Sequence, residues 1–263
     1  MKLKDKISVV TGGASGIGRA IALAFAQEGA RVIVADIDTD GGKETVEMIK
    51  KLKKSAFFVE ADVAESASVK NLAEKTIERY GCIDIMVNNA GIEVFQRLAE
   101  TDEAMWDRVI AVNLRGVFLG TKYAVPHMLK NGGGAVINMA SVAGIMGAGG
   151  LAAYNASKGG VVLLTRNTAM DYGRKGIRAN CICPGFIATP MVTSIMAMPG
   201  ADAVKGQVIG LCPAGRLGKP EEVARCAVFL ASDDASFVNG HALVVDGGMS
   251  AGWEIEVEKV LGG

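Results

Sequence analysis

The sequence has no excess of charge of either sign and almost no histidine. Its 263 residues include 28 basic and 28 acidic side chains, for a formal net charge of zero, and only two histidines. A protein that binds nucleic acid through its phosphates is expected to be basic. A histidine-rich metal site would need more histidines than these two. We therefore expect neither a nucleic-acid partner nor a metal ion.

Paired cysteines and long uncharged runs are also lacking. The five cysteines form an odd set with no C-x-x-C pair, and the sequence shows no signal-peptide pattern. Both features favour reduced thiols and a cytoplasmic protein. The most apolar region, residues 135–164, is interrupted by Gly, Asn, Ser, Tyr and Lys. It does not read as a membrane span, so we expect no membrane partner.

Half of the residues are hydrophobic, and short β-branched runs alternate with longer segments of helical periodicity. The predicted strands are residues 7–11, 31–36, 56–62, 83–89, 135–141, 178–184 and 242–246. Strands and helices that alternate in this way form right-handed crossovers, which place helices on both faces of a parallel sheet. The sequence predicts an α/β fold, a doubly wound parallel sheet of about seven strands of the Rossmann type.

No linker or change of composition divides the chain. We expect one domain over residues 1–263, with a non-periodic insertion at about 188–212 that forms a substrate loop.

A glycine-rich turn, "TGGASGIG", joins the first strand to the first helix. The spacing of Gly12, Gly16 and Gly18 departs from G-x-G-x-x-G, yet the physical reason is the same. Glycine allows a tight turn and lets backbone N–H groups approach a pyrophosphate at a helix N-terminus. By itself the turn is a weak signal.

Asp36 ends the second predicted strand, 18 residues after Gly18. A carboxylate at that position can accept hydrogen bonds from the adenosine ribose of NAD and would repel the 2′-phosphate of NADP. Neither Ser15 nor Ile37 offers a cation to offset that repulsion. The alternative is an aspartate that only forms a turn. We predict NAD as the cofactor.

Eight motifs in order resemble the short-chain dehydrogenase/reductase family. They are "TGGASGIG", "DV" at 62–63, "NNAG" at 88–91, "VNLRG" at 112–116, Ser141, "YNASK" at 154–158, "PGFIAT" at 184–189 and "VDGG" at 245–248. The resemblance implies an alcohol dehydrogenase or ketone reductase that assembles as a homotetramer through the helices of Asn113 and Tyr154. It implies a catalytic set of Asn113, Ser141, Tyr154 and Lys158.

The family match also implies which residues hold the cofactor. They are Gly12, Ser15, Gly16, Ile17, Gly18, Asp36, Ile37, Asp62, Val63, Asn89, Ala90, Gly91, Tyr154, Lys158, Pro184, Gly185, Ile187 and Thr189.

The tyrosine and lysine of "YNASK" lie one helical turn apart. A free tyrosine, with a pKa near 10, is a poor base at neutral pH. We expect the charges of Lys158 and the oxidised nicotinamide to lower that pKa, while Ser141 holds the substrate oxygen. Asn113 is a poor helix former in a helical stretch, which predicts a distorted backbone that binds a water near Lys158. The resemblance implies that this asparagine takes part in a proton relay, and the alternative is an asparagine that only lies on a helix face.

The expected pocket is apolar, with methionines as adaptable walls. Its predicted substrate-binding residues are Glu93, Phe95, Val142, Met146, Met191 and Met196. They favour a small, neutral, largely apolar or cyclic secondary alcohol and its ketone as the substrate pair. Two alternatives are a reductase of 3-oxoacyl thioesters and a cofactor-binding subunit without catalysis. No G-x-S-x-G motif supports a hydrolase.

Overall fold

We analysed a computed structural model of the chain, which describes residues 1–196 and 202–252. The seven strands are β1 (Ile7–Thr11), β2 (Arg31–Asp36), β3 (Ala56–Glu60), β4 (Ile85–Asn88), β5 (Gly134–Met139), β6 (Ile177–Pro184) and β7 (Ala242–Val245). The helices are α1 (Gly16–Gln27), α2 (Thr39–Lys51), α3 (Ser66–Tyr80), α4 (Glu103–Ile110), α5 (Gly116–Lys130), α6 (Ala152–Tyr172), α7 (Pro190–Met196), α8 (Asp202–Gly210) and α9 (Pro220–Ala231).

The strands form one parallel sheet in the order β3-β2-β1-β4-β5-β6-β7. The predicted doubly wound parallel sheet is therefore confirmed. From β1 the sheet first grows on one side, through β2 and β3, and the chain then returns to add β4 on the other side of β1. A crevice opens at the carboxyl ends of the strands at such a switch point. Strands β3 and β5 end at residues 60 and 139, two residues before the predicted ends, because the chain there turns into the loops that line the crevice.

Alternate residues of the central strands pack against helices on opposite faces. In β2, Val32 and Val34 join a buried cluster with α1, α2 and α9, whereas Ile33 joins a second cluster with α3 and α5. All three side chains are fully buried. This is the pattern of a strand covered on both faces, and it explains why the strands read as continuous apolar runs.

The insertion after β6 is more regular than the sequence suggests. Its described residues form α7 and α8, although residues 188–212 show no clear helical period. Among the described residues, no helix is long and apolar enough to cross a membrane. Within the same part of the chain, no three His, Cys, Asp or Glu side chains are grouped so that they could hold a metal ion.

Candidate active site

One cavity of about 670 Å³ lies at the carboxyl ends of β1, β4, β5 and β6. Its size is typical of a ligand site. The predicted residues that line it are Gly12, Ser15, Gly16, Ile17, Gly18, Asp36, Ile37, Asp62, Val63, Asn89, Ala90, Gly91, Glu93, Phe95, Ser141, Val142, Tyr154, Lys158, Pro184, Gly185, Ile187, Thr189 and Met191. Residues far apart in the sequence are thus brought to one site by the order of the strands.

Two of the predicted residues that the structure describes lie outside the cavity wall, Asn113 and Met146. Asn113 is completely buried behind the cavity wall. Met146 is 40% exposed and is not part of the wall, because the chain turns outward after Gly144 and the wall continues with Ala148 and Leu151. The side chain of Met196 lies outside the described residues.

The glycine-rich turn forms a cradle that a larger residue would fill. Gly12 and Gly16 have φ angles of +65° and +51°, in the left-handed region that favours glycine. A Cβ on Gly16 would lie 3.2 Å from the Thr189 side chain, and a Cβ on Gly18 would collide with the carbonyl of Gly12. The backbone around the N-terminus of α1 is therefore open to a close ligand. This geometry fits the pyrophosphate of a dinucleotide.

Asn89 ties the cradle to the end of β4. Its side-chain amide donates to the carbonyls of Thr11 and Gly12 at 2.9 and 3.2 Å. The hydroxyl of Thr11 accepts hydrogen bonds from the backbone N–H groups of Asn89 and Ala90. Thr11 was not among the predicted site residues, although it is the first letter of the "TGGASGIG" motif.

The carboxylate of Asp36 is fixed in position by two backbone donors. Its Oδ2 accepts from the N–H of Ala14 at 2.9 Å, and its Oδ1 accepts from the N–H of Asp38 at 3.0 Å. Each oxygen retains a lone pair for another donor. Among the described residues, no lysine or arginine forms an ion pair with Asp36. The Asp36 carboxylate can therefore accept hydrogen bonds from a ligand in the cavity.

Arg108 of α4 is a cavity residue that the sequence analysis did not identify. Its guanidinium lies 3.7 Å from the carboxylate of Asp62, and both side chains line the cavity. The Asp62 carboxylate also accepts from the N–H of Ala64. No motif marks an arginine on α4, so only the tertiary structure reveals it.

The "YNASK" sequence places two predicted catalytic side chains and two side chains that brace the backbone on α6. Tyr154 and Lys158 lie one turn apart on the cavity side, and the Lys158 Nζ is 5.5 Å from the centre of the tyrosine ring. Asn155 donates to the carbonyl of Ala148 at 2.9 Å and holds the preceding loop. Ser157 donates to the carbonyl of Tyr154 at 2.7 Å. The small residues allow α6 to approach the sheet closely.

Lys158 is buried almost completely at the end of β5. Its Nζ donates to the carbonyl of Met139 at 2.8 Å. Burial lowers the pKa of Lys158 from 10.5 to about 8, while the nearby carboxylate of Glu93 acts to raise it. The side-chain amine of Lys158 therefore loses its proton at a lower pH here than it would in water.

In the protein without a cofactor, the pKa of Tyr154 is raised, whereas the sequence analysis expects it to be lowered. Burial raises this pKa above its ordinary value of 10, and the charge of Glu93 raises it further. A hydrogen bond with the Ser141 side chain acts in the opposite direction. In the protein without a cofactor, Tyr154 therefore keeps its proton at neutral pH.

Asn113 lies in a π-helical turn, Ala111–Arg115, between α4 and α5. The distorted backbone predicted from its poor helix propensity is present, and π-turns of this kind often occur at functional sites. Its side chain exchanges two hydrogen bonds of 2.8 Å with the backbone N–H and C=O of Ile92, and it donates to Ser157. The side chain thus braces the loop after β4. Its part in a proton relay stays a prediction.

The strand β6 carries a cysteine, Cys183, next to two of the predicted catalytic residues. It is fully buried in β6, but its thiol lies beside the backbone of Ser141 and the ammonium of Lys158. Contact with Cys181 and burial raise the pKa of the Cys183 thiol, so it remains neutral. It forms part of the floor beneath the catalytic candidates.

Comparison with known proteins gives consistent matches over most of the chain. A family model described as enoyl-(acyl carrier protein) reductase matches residues 12–250. A cyclohexanol dehydrogenase from Acinetobacter sp. is 41% identical over 94% of this chain and 95% of its own length. A 3-oxoacyl-[acyl-carrier-protein] reductase from Thermotoga maritima is 41% identical over 95% of this chain and 99% of its own.

Among solved structures, one protein from Beutenbergia cavernae superposes with a TM-score of 0.90 at 37% identity. The match covers 95% of this chain and 99% of that one. That protein is assigned as an NAD(P)-dependent gluconate 5-dehydrogenase and was solved with NADP at low occupancy. These matches agree with the fold.

Proposed function

Because the chain belongs to the short-chain dehydrogenase/reductase family of oxidoreductases, we propose that it interconverts a secondary alcohol and its ketone and prefers NAD(H). The observation that carries this proposal is the convergence of Ser141, Tyr154 and Lys158 on one cavity beside the glycine cradle. The apolar wall favours a neutral, largely apolar or cyclic substrate. The odd number of cysteines favours the cytoplasm as its compartment.

Each of the four catalytic candidates would have a part in the transfer of one proton between the substrate and Tyr154. In the direction of oxidation, the substrate hydroxyl would give its proton to the deprotonated oxygen of Tyr154 as the C–H bond breaks. Ser141 would donate a hydrogen bond to the same substrate oxygen and hold it in place. Lys158 would supply positive charge beside Tyr154, and Asn113 would hold the loop that closes this side of the cavity. General acid–base catalysis of this kind contributes about 10²–10⁴-fold to the rate.

The cofactor, when bound, supplies the hydride chemistry and the positive charge of its oxidised form. Residues of the cradle would hold its pyrophosphate, Asp36 its adenosine ribose, and Asp62 with Val63 its adenine. The carboxyl end of β6, at Pro184, Gly185, Ile187 and Thr189, would hold the nicotinamide half. The positive charge of the oxidised cofactor would lower the pKa of Tyr154 and so counter the increase caused by burial and by Glu93.

The direct test is a panel of secondary alcohols and ketones assayed with NAD(H) and NADP(H) through nicotinamide absorbance. Turnover of cyclic or apolar alcohols with NAD would support the proposal. The second candidate is reduction of 3-oxoacyl thioesters, which the Thermotoga maritima relative favours. Acetoacetyl-CoA with NADPH belongs in the same panel, and faster turnover of that pair than of any alcohol would favour the second candidate. An absence of turnover with every compound would favour the cofactor-binding subunit.

The preference for NAD should depend on the carboxylate of Asp36. A charge-assisted hydrogen bond contributes about 1.5–3 kcal/mol, and 1.4 kcal/mol is tenfold. We expect kcat/KM with NAD to exceed that with NADP by at least about tenfold in the wild type. Asp36→Ala should lower kcat/KM with NAD and raise kcat/KM with NADP, and both changes reduce the ratio of the two.

The matched control for this measurement is Asp40→Ala, in the first turn of α2 and outside the cavity wall. It should leave the cofactor ratio unchanged. Equal use of NAD and NADP by the wild type would contradict the role given to Asp36. It would leave the proposed chemistry at Tyr154 intact.

We also propose a homotetramer, which exposed apolar side chains on two helices support. Phe118 of α5 is 45% exposed, and Leu163 and Met170 of α6 are 64% and 83% exposed. Leu163 and Met170 are seven residues apart and share one helix face. Sedimentation velocity should report a mass near four chains of 27.3 kDa. The double variant Leu163→Glu/Met170→Glu should sediment as a smaller species, and a monomeric wild type would refute the assembly.

A further inference from the structure

Glu93 is an acidic side chain in an otherwise apolar part of the cavity. It lies in the loop after β4, next to Ile92, whose backbone is fixed by Asn113. The neighbouring wall carries Phe95, Ala148 and Leu151. The backbone N–H and C=O of the preceding residue, Ile92, are both hydrogen-bonded to the side chain of Asn113. The backbone next to Glu93 is therefore held in place beside the cavity.

Within the part of the chain that the structure describes, the carboxyl group of Glu93 takes part in no ion pair and in no side-chain hydrogen bond. The side chain is only partly exposed to solvent. Burial raises the pKa of Glu93, and Lys158 acts in the opposite direction. A partly desolvated carboxyl without a donor is unfavourable, so a ligand that brings a donor would gain free energy there.

Glu93 does not help the proton transfer that we propose. Its negative charge raises the pKa of Tyr154 and so opposes formation of the base. An apolar residue in its place would make Tyr154 easier to deprotonate. The carboxyl group is therefore best explained by a contact with the substrate and not by the chemistry at the reacting carbon.

We infer that Glu93 accepts a hydrogen bond from a second hydroxyl group of the substrate, so that the natural substrate pair is a diol and its hydroxyketone. This inference rests on the proposed function and narrows it. A site that is built to bind a hydroxyl discriminates strongly against an analogue that lacks it, because a buried polar group is then left unpaired. The apolar walls would contact the carbon skeleton, and Glu93 would select among alcohols of equal size.

The test measures kcat/KM, with NAD as the cofactor, for cyclohexanol and for the 1,2-, 1,3- and 1,4-cyclohexanediols. The wild type should prefer at least one diol over cyclohexanol by about tenfold or more. Glu93→Ala should abolish that preference, so that the ratio of kcat/KM for the favoured diol to kcat/KM for cyclohexanol falls to about one. Glu93→Gln keeps an acceptor oxygen and should retain part of the preference.

Glu100→Ala is the matched control, because Glu100 is an exposed acid nearby in the same loop region and lies outside the cavity wall. It should leave all three ratios of diol to cyclohexanol unchanged. NADH binding to Glu93→Ala, measured by fluorescence titration, verifies that the variant is folded. Turnover without preference for any diol, or a preference that survives in Glu93→Ala, would overturn this inference alone. A wild type that oxidises none of these compounds and no other secondary alcohol would overturn the proposed function as well.

Discussion

Tyr154→Phe should lower kcat by about 10²–10⁴-fold, the range expected for loss of a general acid–base group. The ring of Tyr154 and its packing remain, and only the hydroxyl that exchanges the proton is removed. Affinity for NADH should therefore change little. Steady-state assays with the best alcohol of the panel, and fluorescence titration with NADH, measure the two quantities.

Tyr172→Phe is the matched control for this variant. Tyr172 ends the same helix, α6, and packs in the hydrophobic cluster beneath α3 and α5, away from the cavity. It should retain full activity. If Tyr154→Phe kept more than about a tenth of the wild-type kcat, the assignment of Tyr154 as the proton-transfer group would be wrong.

Lys158→Met should abolish most turnover and also weaken NADH binding. We propose that the lysine supplies charge beside Tyr154 and also donates a hydrogen bond to the nicotinamide ribose, a role that the family resemblance implies. We expect a fall in kcat/KM of at least about 10²-fold. A rise in the dissociation constant of NADH would separate this variant from Tyr154→Phe. Wild-type affinity for NADH in Lys158→Met would contradict the contact with the ribose.

The same variant should alter how stability depends on pH. The pKa of Lys158 is about 8 in the folded protein, below its ordinary value of 10.5, so the folded state disfavours the charged form. That penalty is fully present below pH 8 and disappears as pH rises towards 10.5. The free energy of unfolding of Lys158→Met, relative to wild type, should therefore fall by about 3 kcal/mol between pH 7 and 10.5.

Urea unfolding at several pH values measures this difference. Lys130→Met, an exposed lysine at the end of α5, is the control and should show a stability difference that does not change with pH in this way. A constant difference between wild type and Lys158→Met would show that Lys158 is as well solvated in the folded as in the unfolded chain.

Much of the fold could be predicted because its signals are local. The alternation of apolar runs and helical segments indicated all seven strands, and the glycine turn before α1 indicated where the chain approaches a ligand. Asp36 could be placed because it ends a strand next to β1. Tyr154 and Lys158 could be paired because four residues make one helical turn.

The features that the sequence did not predict depend on tertiary contacts. Nothing local indicates that Asn113 holds the backbone of Ile92, 21 residues away. The outward turn that removes Met146 from the wall depends on how the loop before α6 packs. The raised pKa of Tyr154 depends on burial and on Glu93, and neither can be known before the loops are in place.

The order of the strands has a consequence for synthesis on the ribosome. Strand β6 pairs with β5 on one side and with β7 on the other, and about 60 residues separate β6 from β7 in the chain. At about 5–20 residues per second, roughly 3–12 s pass between the synthesis of the two strands. During that time β6, with its buried apolar residues, is an open edge that could pair with another nascent chain. Slow codons between residues 185 and 241 would lengthen this exposure, whereas a chaperone that covers the edge of β6 would remove it.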